Sequence, residues 1–531
     1  MGRSSLAGSV LGSTGLLQAC QTGGAGVFPS SQWPRLKATS TDQLELSPGL
    51  SARILIRWQD PINPRGDLFG YNNDFLAFLP GKNKDEGFLW VNHEYVHPLI
   101  VSGYDRASGK PKTKSQIETE RKNVGGSFVR ISRNENESWT IDTQDPKNFR
   151  IDGTTPMSLV SERPIQGQMT AIGTTGNCCG GQTPWGTILT CEENTDDVFG
   201  DVNFSRIGND WKRTFIPSKK AMAWNLGLPP EHYGWVVEIN PQTKSCKKLT
   251  ALGRFAHEGA LVVETNDGRI AVYMGDDANN QHFYKFISSH PGSLSSGKLY
   301  VAKLETGTWE LLSLENPKLK GHFADQTDLL IRTREAAKIL GATPLDRPEA
   351  CAQDPYSKGI FLSCTMNRKA NRPYGSILKF MEKNNDPLSL EFTSETFLHG
   401  GPQTDFACPD NICFDPRGNL WFTSDIADDD LNQGSFSTFG NNGLFFVPMS
   451  GPFAGQAHRF ASAPMEAEFT GPCFSPDGKT LFLSVQHPGA STENREHPTS
   501  HWPEGGQALP RPAVIALEGP LLNRILKIKN D

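Results

Sequence analysis

The sequence predicts an all-β fold, a β-propeller, from three observations. First, several segments repeat a pattern in which a short run rich in β-branched and aromatic residues meets a turn of Asp, Asn or Gly and then a second such run. Second, 52 glycines and 37 prolines among 531 residues exceed average usage and indicate many turns. Third, convincing helices are few. Paired hairpins with irregular spacing are typical of propeller blades, whereas the alternative, a pair of β-sandwiches, would require two domains.

Hairpins of the same kind recur along the chain. Gly and Asn accept the positive φ that tight turns require, so Asp-Gly or Pro-Arg-Gly-Asn between two apolar runs predicts paired strands. The clearest strands and hairpins occupy residues 126–132, 235–246, 261–273, 413–423 and 473–483. The best helix runs from Thr333 to Leu340 and ends at Gly341. Long loops over the faces of the propeller are expected at residues 281–298, 426–440 and 488–510.

The chain divides into residues 1–35 and residues 36–531. Residues 1–20 resemble the end of a secretory signal with a lipobox-like Leu-Gln-Ala-Cys20, and Arg3-Ser-Ser-Leu6 resembles the remnant of a twin-arginine signal. A disordered terminus is the alternative. Residues 21–35 have the composition of a flexible linker, and residues 36–531 are predicted to form one domain. We therefore expect a periplasmic or secreted protein, with a lipid on Cys20 as its only membrane attachment.

The charge balance restricts the class of partner. Lys and Arg number 52 against 58 Asp and Glu, which gives a formal net charge of -6. Because nucleic acids are bound by clustered basic surface, we expect no nucleic-acid partner. The ten cysteines include no CxxC pair, which disfavours a zinc ribbon. Adjacent Cys178 and Cys179, however, lie beside glycines and near acidic residues, where a metal ligand fits.

Acidic and amide residues concentrate in five clusters at predicted strand–loop junctions. Carboxylate and amide oxygens suit hard cations such as Ca²⁺, whereas a thiolate with carboxylates suits iron or zinc. A solvated turn is the alternative for any one cluster, but five of them favour a face that binds several metal ions. The clusters are Asn92 with Glu94; Cys178 with Glu192 and Glu193; Glu258 with Asp276 and Asp277; Arg347 with Glu349; and Asp410 with Asn411, Asp425 and Gln486-His487.

Two details add chemistry to this face. Adjacent Glu192 and Glu193 point to opposite sides if both lie in a strand, so one can face the axis while the other reaches a neighbouring strand or a second ion. Arg347, beside Glu349, offers a planar fork of donors that matches phosphate oxygens, and a structural salt bridge is its alternative role. No GxSxG, HExxH or P-loop motif occurs, which leaves serine hydrolases, zincins and nucleotide kinases without support.

The motifs in these segments resemble those of the PhoX-type alkaline phosphatases. The similarity extends in order from about residue 45 to residue 490. Its motifs are WVNHEY at 90–95, NCCGGQTPWGT and TCEEN within 177–194, RFAHEGA at 254–260, YMGDDANNQHFYKF at 273–286, DRPE at 346–349, PDNICFDPRGNLW at 409–421 and SPDGKTLFLSVQHPG at 475–489. The resemblance implies a six-bladed propeller with long loops and a few short helices on its faces. It also implies an axial site with two Fe³⁺ and three Ca²⁺ ions, and hydrolysis of phosphate monoesters for phosphate acquisition.

The resemblance further implies roles for individual residues. By position, Cys178 matches the iron-binding cysteine, and Glu193, Glu258 and Glu349, together with Glu192, match the iron-binding carboxylates. Arg347 matches the arginine that contacts phosphate, and Lys303 is the candidate for a phosphate-contacting lysine. The expected calcium ligands are Asn92, Glu94, Asp276, Asp277, Asp410 and Asn411. An oxo or hydroxide group that bridges the metal ions is the implied nucleophile.

Three functions are open on the sequence alone. The leading hypothesis is an exported metallophosphatase that acts as a monomer on small-molecule phosphate esters. A calcium-dependent propeller lactonase or phosphotriesterase would explain Asp410 and Asn411 but not Cys178 or Arg347. A non-catalytic propeller that binds a partner with its face is the third hypothesis, because one fold hosts many functions.

Overall fold

Six small β-sheets surround a common axis in the computed structural model, which describes residues 33–207 and 210–527. The innermost strands of the six sheets contact one another in a closed ring, from the first sheet to the sixth and back to the first. Each sheet is therefore one blade of a six-bladed β-propeller, which confirms the predicted fold class. The predicted signal segment, including Arg3 and Cys20, lies outside the described residues.

Blades 1 to 3 follow one another along the chain, and the strands of each blade are named from the axis outwards. Blade 1 contains Asn73–Pro80, Glu86–His93, Gly125–Arg133 and Trp139–Ile141, with Phe149–Ile151 also paired to the third strand. Blade 2 contains Asn177–Gln182, Ile188–Glu192, Val236–Ile239, Cys246–Leu249, Pro156–Val160 and Thr170–Ile172. Blade 3 contains Leu261–Glu264, Ile270–Gly275, Phe283–Ser288, Gly297–Lys303 and Thr308–Leu311.

Of the last three blades, blades 5 and 6 include strands from the beginning of the described chain, and these close the ring. Blade 4 contains Pro348–Gln353, Ile360–Cys364, Ser376–Glu382 and Phe392–His399. Blade 5 contains Pro409–Phe414, Leu420–Ser424, Gly443–Val447, His458–Ser462 and, at its outer edge, Glu45–Leu46. Blade 6 contains Glu468–Phe474, Leu481–Gln486, Ala513–Glu518 and, as its outermost strand, Ser51–Arg57.

Helices and two short two-stranded ribbons lie outside the six blades in the described part of the chain. The ribbons pair Asp201–Ile207 with Asp210–Ile216, and Asn279–Gln281 with Leu345–Asp346. The α-helices are Pro98–Val101, Lys114–Arg121, Asp196–Phe199, Gln326–Ile331, Thr333–Leu340 and Pro520–Lys527. The 3₁₀ helices are Arg106–Ser108, Pro230–His232, Thr250–Leu252, Arg368–Ala370, Lys383–Asn385 and Gly434–Phe436. Among the described residues, no helix has the length and apolar character needed to cross a membrane.

The main hydrophobic clusters lie between neighbouring blades. Between blades 5 and 6, for example, Trp421, Phe446 and Phe460 pack together with Leu483 and Ile515, and all five are fully buried. Because both faces of a blade are covered by its neighbours, central strands such as Leu481–Gln486 and Gly443–Val447 are buried along their whole length instead of alternating between core and solvent. This packing fixes the blades rigidly around the axis, where the inner strands begin.

Most of the local predictions agree with the structure, and one is wrong. The helix Thr333–Leu340 is confirmed and ends at Gly341, whose φ of 71° is the left-handed conformation that glycine tolerates. The predicted loop at 281–298 contains the strand Phe283–Ser288, which is buried on both faces between two other strands of blade 3. Only its Ser- and Pro-rich second half turns between strands, so composition averaged over the whole segment concealed the apolar run at its start.

Candidate metal centre

A repeated irregularity in the inner strands builds the centre. In blades 1, 2, 4 and 5, the register shifts by one residue near the start of the inner strand, so the inner strand has one residue more than its partner. Blade 3 has the same offset, because His257 opposes Asp276 whereas Leu261 opposes Tyr273. Such bulges re-aim a side chain relative to the pleat. All five bulges lie at the same end of the axis, where the inner strands start and the second strands finish.

The bulges present two rings of polar side chains to the axis. In each of these five blades, one pair of opposed residues precedes the bulge. On the inner strand, the residue after this pair has a metal-binding atom; in blades 1 to 5 it is Asp74, Cys178, Glu258, Glu349 and Asp410. On the second strand, the residue after this pair is, in the same order of blades, Glu94, Glu193, Asp277, Thr365 and Asp425. Five blades thus each contribute a pair of equivalent positions to one site.

Blade 6 departs from this repeat. Its register shift lies after Thr470, so the equivalent inner position is Gly471. A Cβ atom there would lie 2.6 Å from the carbonyl oxygen of Asp74, which leaves no room for a side chain. The Gly471 amide instead donates to Oδ1 of Asn411 at 2.6 Å. Blade 6 contributes Glu468, from the first residue of its inner strand, and the opposite residue Gln486.

These residues enclose an axial cavity of about 190 Å³. It is lined by ten carboxylates, the Cys178 thiol and one arginine, Arg347, which is the single Lys or Arg among the described residues that line it. The ten carboxylates belong to Asp74, Glu94, Glu193, Glu258, Asp277, Glu349, Asp410, Asp425, Asp428 and Glu468. One guanidinium cannot balance ten acids, so the composition of this cavity calls for bound cations.

Three overlapping groups within the cavity have the spacing of metal ligands. They are Asp74 with Glu94 and Cys178, Cys178 with Glu193 and Glu258, and Glu258 with Glu349 and Asp410. In each group the ligand atoms lie within 4.8 Å of one another, and every residue is buried. Among the described residues, Oδ1 of Asp74 and Oε1 of Glu258 have no hydrogen-bond partner, although both are buried. Unpartnered oxygens in a crowd of acids fit a site for metal ions.

The electrostatics of the residues agree with this interpretation. Burial, together with nearby carboxylates, raises the pKa of Glu94 to about 7 and that of Asp410 to about 6. Burial and the charge of Asp277 raise the pKa of Glu193, and burial likewise raises the pKa of the Cys178 thiol. These groups resist ionisation in the absence of cations. A metal ion reverses this, because it favours the carboxylate and thiolate forms.

Arg347 is held in the cavity by the acids around it. Its backbone has a φ of 52°, a left-handed conformation that costs a non-glycine residue about 1–2 kcal/mol. Nε and Nη2 donate to the two carboxylate oxygens of Asp277 at 2.8 and 2.7 Å, and Nη1 donates to Asp425 at 3.3 Å. Nη2 also lies 3.2 Å from Glu349. Although burial opposes it, this pairing lowers the pKa of Asp277.

Comparison with a family model identifies the family of this chain. The model of the alkaline phosphatase PhoX family matches residues 31–489, which is most of the chain. The chain belongs to the PhoX alkaline phosphatase family. Members of this family are phosphomonoester hydrolases, so the enzyme class that the motifs implied is confirmed. A search of curated proteins gives no match.

Solved structures include a similar protein of the PhoX family. The chain is 28% identical to Pseudomonas fluorescens PhoX in complex with vanadate, a transition-state analogue, with a TM-score of 0.79, and the match covers 92% of this chain and 98% of that one. A gluconolactonase from Xanthomonas campestris is 10% identical over 92% and 99% of the two chains, with a TM-score of 0.35. A protein of unknown function from Dyadobacter fermentans is 11% identical over 89% and 100%, with a TM-score of 0.41. The last two similarities are too low to support a comparison of sites.

Glu192 lies outside the centre of this PhoX-family chain. Its Oε1 accepts from Lys248 Nζ at 2.6 Å and from Thr174 Oγ1 at 2.8 Å, and its Oε2 accepts from the amides of Gly234 and Trp235. Both oxygens are therefore occupied, and the side chain is fully buried between strands of blade 2. The adjacent Glu193 faces the axial cavity, as expected for neighbours in an extended chain.

Three of the predicted calcium ligands are engaged with protein partners instead of with the cavity. Asn92 accepts from Trp90 and donates to the carbonyl oxygens of Cys178 and Cys179. Asp276 forms a salt bridge with Arg334. Asn411 donates to Asp410 and accepts from Gly471. These side chains orient the strand ends that carry the cavity-lining acids.

Lys303 and Cys179 lie away from the cavity. Lys303 ends the fourth strand of blade 3, on the outer side of the blade, and is not among the residues that line the axial cavity. Cys179 packs into the hydrophobic cluster between blades 4 and 5 and the axis, with Ala350 and Ile412. Of the two adjacent cysteines, Cys178 is thus the one that lies beside the acids.

Sequence reasoning missed Asp74, Asp428 and Glu468, all of which line the cavity. Asp74 follows Asn73 at the start of the first inner strand, in the position that Cys178 takes in blade 2 and Asp410 in blade 5. The signal that could have found it is this repeat of a polar pair before an apolar inner strand. Glu468 has no such signal, because blade 6 departs from the repeat.

Proposed function

We propose that this chain hydrolyses phosphate monoesters at a calcium- and iron-containing centre in the axial cavity and thereby releases inorganic phosphate for phosphate acquisition. The observation that carries the proposal is the gathering of ten carboxylates and one thiol around a single guanidinium. A cavity of this composition has no role in holding the propeller together, because its charges repel one another. It has an obvious role in binding cations and an anionic group together.

The donor types suggest which residues hold which metal. A thiolate with carboxylates suits iron, so the group Cys178, Glu193 and Glu258, with Glu349, fits two Fe³⁺ ions. All-oxygen donors suit calcium, so Asp74, Glu94, Asp277, Asp410 and the other cavity acids fit three Ca²⁺ ions. When bound, such ions supply Lewis-acid activation of the phosphoryl group and of the oxygen that attacks it.

Arg347 would orient the phosphate. Its guanidinium is fixed by Asp277 and Asp425 on two sides, so little conformational freedom is lost when a tetrahedral anion binds to it. The contact with Asp425 is the longest of its hydrogen bonds and is the one that a phosphate oxygen would replace. A fixed donor aimed at phosphate oxygens stabilises the charge that develops during transfer.

The cellular setting is part of the proposal. We propose that the protein acts as a monomer on small-molecule phosphate esters outside the cytoplasm, in the periplasm or secreted, after twin-arginine export. A lipid on Cys20 would be its only membrane attachment. The residues Leu-Gln-Ala-Cys20 support the lipid. Fractionation of cells that express the full chain and its Cys20→Ala variant tests this, since loss of membrane association in the variant alone is expected.

The test of the reaction uses purified full-length protein. We expect release of phosphate from p-nitrophenyl phosphate at alkaline pH, loss of activity with a calcium chelator, and iron and calcium in elemental analysis. Cys178→Ala should lose iron and most activity, whereas Cys179→Ala is the matched control that should retain both. Absence of turnover after reconstitution with iron and calcium would contradict the proposal. Full activity of Cys178→Ala, with calcium alone bound, would favour the calcium-dependent lactonase hypothesis.

A further inference from the structure

We propose that a second cavity, adjacent to the metal centre, binds the alcohol portion of the phosphate ester and selects hydroxyl-rich alcohols of the sugar and glycerol type that carry no second anionic group. This inference rests on the proposed phosphatase function. It concerns specificity, because nothing in the metal centre itself distinguishes one phosphate monoester from another.

The two cavities are contiguous. The second has a volume of about 300 Å³, and Glu193, Asn194 and Asp277 line both. Asn194 bridges them, because it is exposed and its Nδ2 donates to Glu193 at 2.8 Å. A phosphate held by Arg347 and the metal ions must direct its ester oxygen out of the axial cavity. The adjoining cavity offers a place for the group attached to that oxygen.

The walls of this cavity are held in place without a ligand. One wall is the ribbon strand Asp201–Ile207, and another is the start of the helix Thr333–Leu340. Arg332 joins them: its guanidinium lies 3.8 Å from the ring centre of Trp211 in the ribbon and forms salt bridges with Asp328 and Glu335 on the helical side. A preformed cavity loses little entropy when it binds its ligand.

The polar groups of the cavity suit hydroxyls better than a second anionic group. The cations in its walls are already neutralised, because Arg254 pairs with Asp201, Arg332 with Glu335, and Arg334 with Asp276. A second anionic group on the substrate would therefore meet no uncompensated cation there. A hydroxyl can both donate to a carboxylate and accept from a guanidinium, so it fits walls that alternate the two.

Arg334 provides a donor at the centre of this surface. Nε and Nη2 are engaged with Asp276, whereas Nη1 makes no hydrogen bond to any residue in the described part of the chain. Its side chain is 40% exposed while that of Asp276 is fully buried, so the exposed part of the guanidinium is turned toward the cavity. Exposed Asp196 and Asn203 face it with further polar atoms. Two aromatic residues line the cavity: Phe255 is 4% exposed, and the half-buried ring of Phe204 lies 5.2 Å from the Arg332 guanidinium.

The test blocks the second cavity while leaving the metal centre intact. Asn203 is exposed on the ribbon, lines this cavity and does not line the axial one, so Asn203→Trp should fill the cavity. Ser205→Trp is the matched control, because Ser205 is exposed on the same strand and lines neither cavity. The readout is kcat/KM for three esters: methyl phosphate, glycerol 2-phosphate and glucose 6-phosphate.

We expect the wild type to favour the two hydroxylated esters over methyl phosphate by at least tenfold. Asn203→Trp should remove most of that preference and leave methyl phosphate within twofold of wild type, which also shows that the variant is folded. Ser205→Trp should behave as wild type. Equal loss for all three esters, or an unchanged preference in Asn203→Trp, overturns the second cavity alone. Absence of hydrolysis of every ester by the metal-loaded wild type overturns the proposed function as well.

Discussion

At the scale of single residues, the centre depends on side chains whose partners differ although their residue types are the same. Glu192 and Glu193 are adjacent acids, yet one is bound to Lys248 and backbone amides while the other lines the axial cavity. The adjacent acids Asp276 and Asp277 differ in the same way, because Asp276 pairs with Arg334 whereas Asp277 pairs with Arg347. In both pairs the first acid anchors the end of the second strand and the next one faces the axis.

The fork geometry of Arg347 leads to a prediction about catalysis. Lysine keeps the charge but cannot make the two-point contacts with Asp277 or with phosphate, so Arg347→Lys should lower kcat/KM by about 100-fold. Initial rates on p-nitrophenyl phosphate measure this. Arg372→Lys is the control, because Arg372 pairs with Asp346 at the surface and should change the rate less than twofold. Equal rates for Arg347→Lys and wild type would contradict a phosphate-orienting role.

The buried pair of Lys248 and Glu192 leads to a prediction about stability. Both side chains are fully buried, so Lys248→Met leaves an unpaired buried carboxylate and should lower the free energy of unfolding by about 3–5 kcal/mol. Denaturant titration measures it. The double variant Glu192→Gln/Lys248→Met should recover part of the loss, and Lys298→Met, at an exposed pair with Glu315, should change stability by less than about 1 kcal/mol. If Glu192 were a metal ligand instead, the double variant would lose metal rather than recover stability.

At the scale of elements, the bulged start of the inner strand is the unit from which the centre is assembled. Each bulge places one metal-binding side chain on the axis and aligns it with the residue that ends the second strand. In blade 6 the equivalent bulge position is Gly471, which has no side chain. Its backbone therefore approaches Asp74 closely, and its amide donates a hydrogen bond to Asn411. The bulges that carry a metal-binding side chain thus depend on one bulge that carries none.

Gly471→Ala tests this close approach. The added Cβ would lie 2.6 Å from the Asp74 carbonyl, so the inner strands of blades 1 and 6 must separate, and iron and calcium content should fall with activity. Gly451→Ala is the matched control: its φ of 80° carries a similar backbone strain of about 1 kcal/mol, but no atom lies within 4 Å of its added Cβ. Elemental analysis and thermal unfolding of both variants measure the difference. Equal metal content in the two would contradict a role for the close packing.

At the scale of the whole molecule, the propeller confines mutually repelling acids at its axis. The six interblade clusters provide the packing that holds them there, and ring closure by Ser51–Arg57 joins the beginning of the described chain to its last blade. Charge repulsion at the axis acts against this packing whenever metal is absent. Metal binding and stability are therefore coupled.

Removal of metal should make stability fall as pH rises. The pKa values of Glu94 and Asp410, about 7 and about 6 in the folded chain, lie above their values of about 4 in an unfolded chain. The unfolded chain then releases these protons first, so the folded metal-free protein loses stability as pH rises from about 4 through 7. Unfolding temperatures of chelator-treated and metal-loaded protein across that range measure this. The gap between the two should widen with pH, and a constant gap would contradict the coupling.

The sequence alone contained most of the chemistry of the centre. The motifs identified Cys178, Glu94, Glu193, Glu258, Asp277, Arg347, Glu349 and Asp410, which the structure brings around one cavity. Local patterns could not assign Asn92, Glu192, Asp276 or Asn411, because the choice between binding a metal and binding a neighbour depends on which strands pack together. Glu468 and Asp428 carried no local pattern at all.

The sequence by itself determined that this protein is a turn-rich β-propeller with acids and a thiol at its strand ends, because turn chemistry and strand propensity are local properties. Only the tertiary structure decided which of those acids meet. Pairing between distant strands fixes the register, and a bulge of one residue reverses the face to which a side chain points. The same physics places the second cavity beside the centre, between a ribbon and a helix more than a hundred residues apart in the chain.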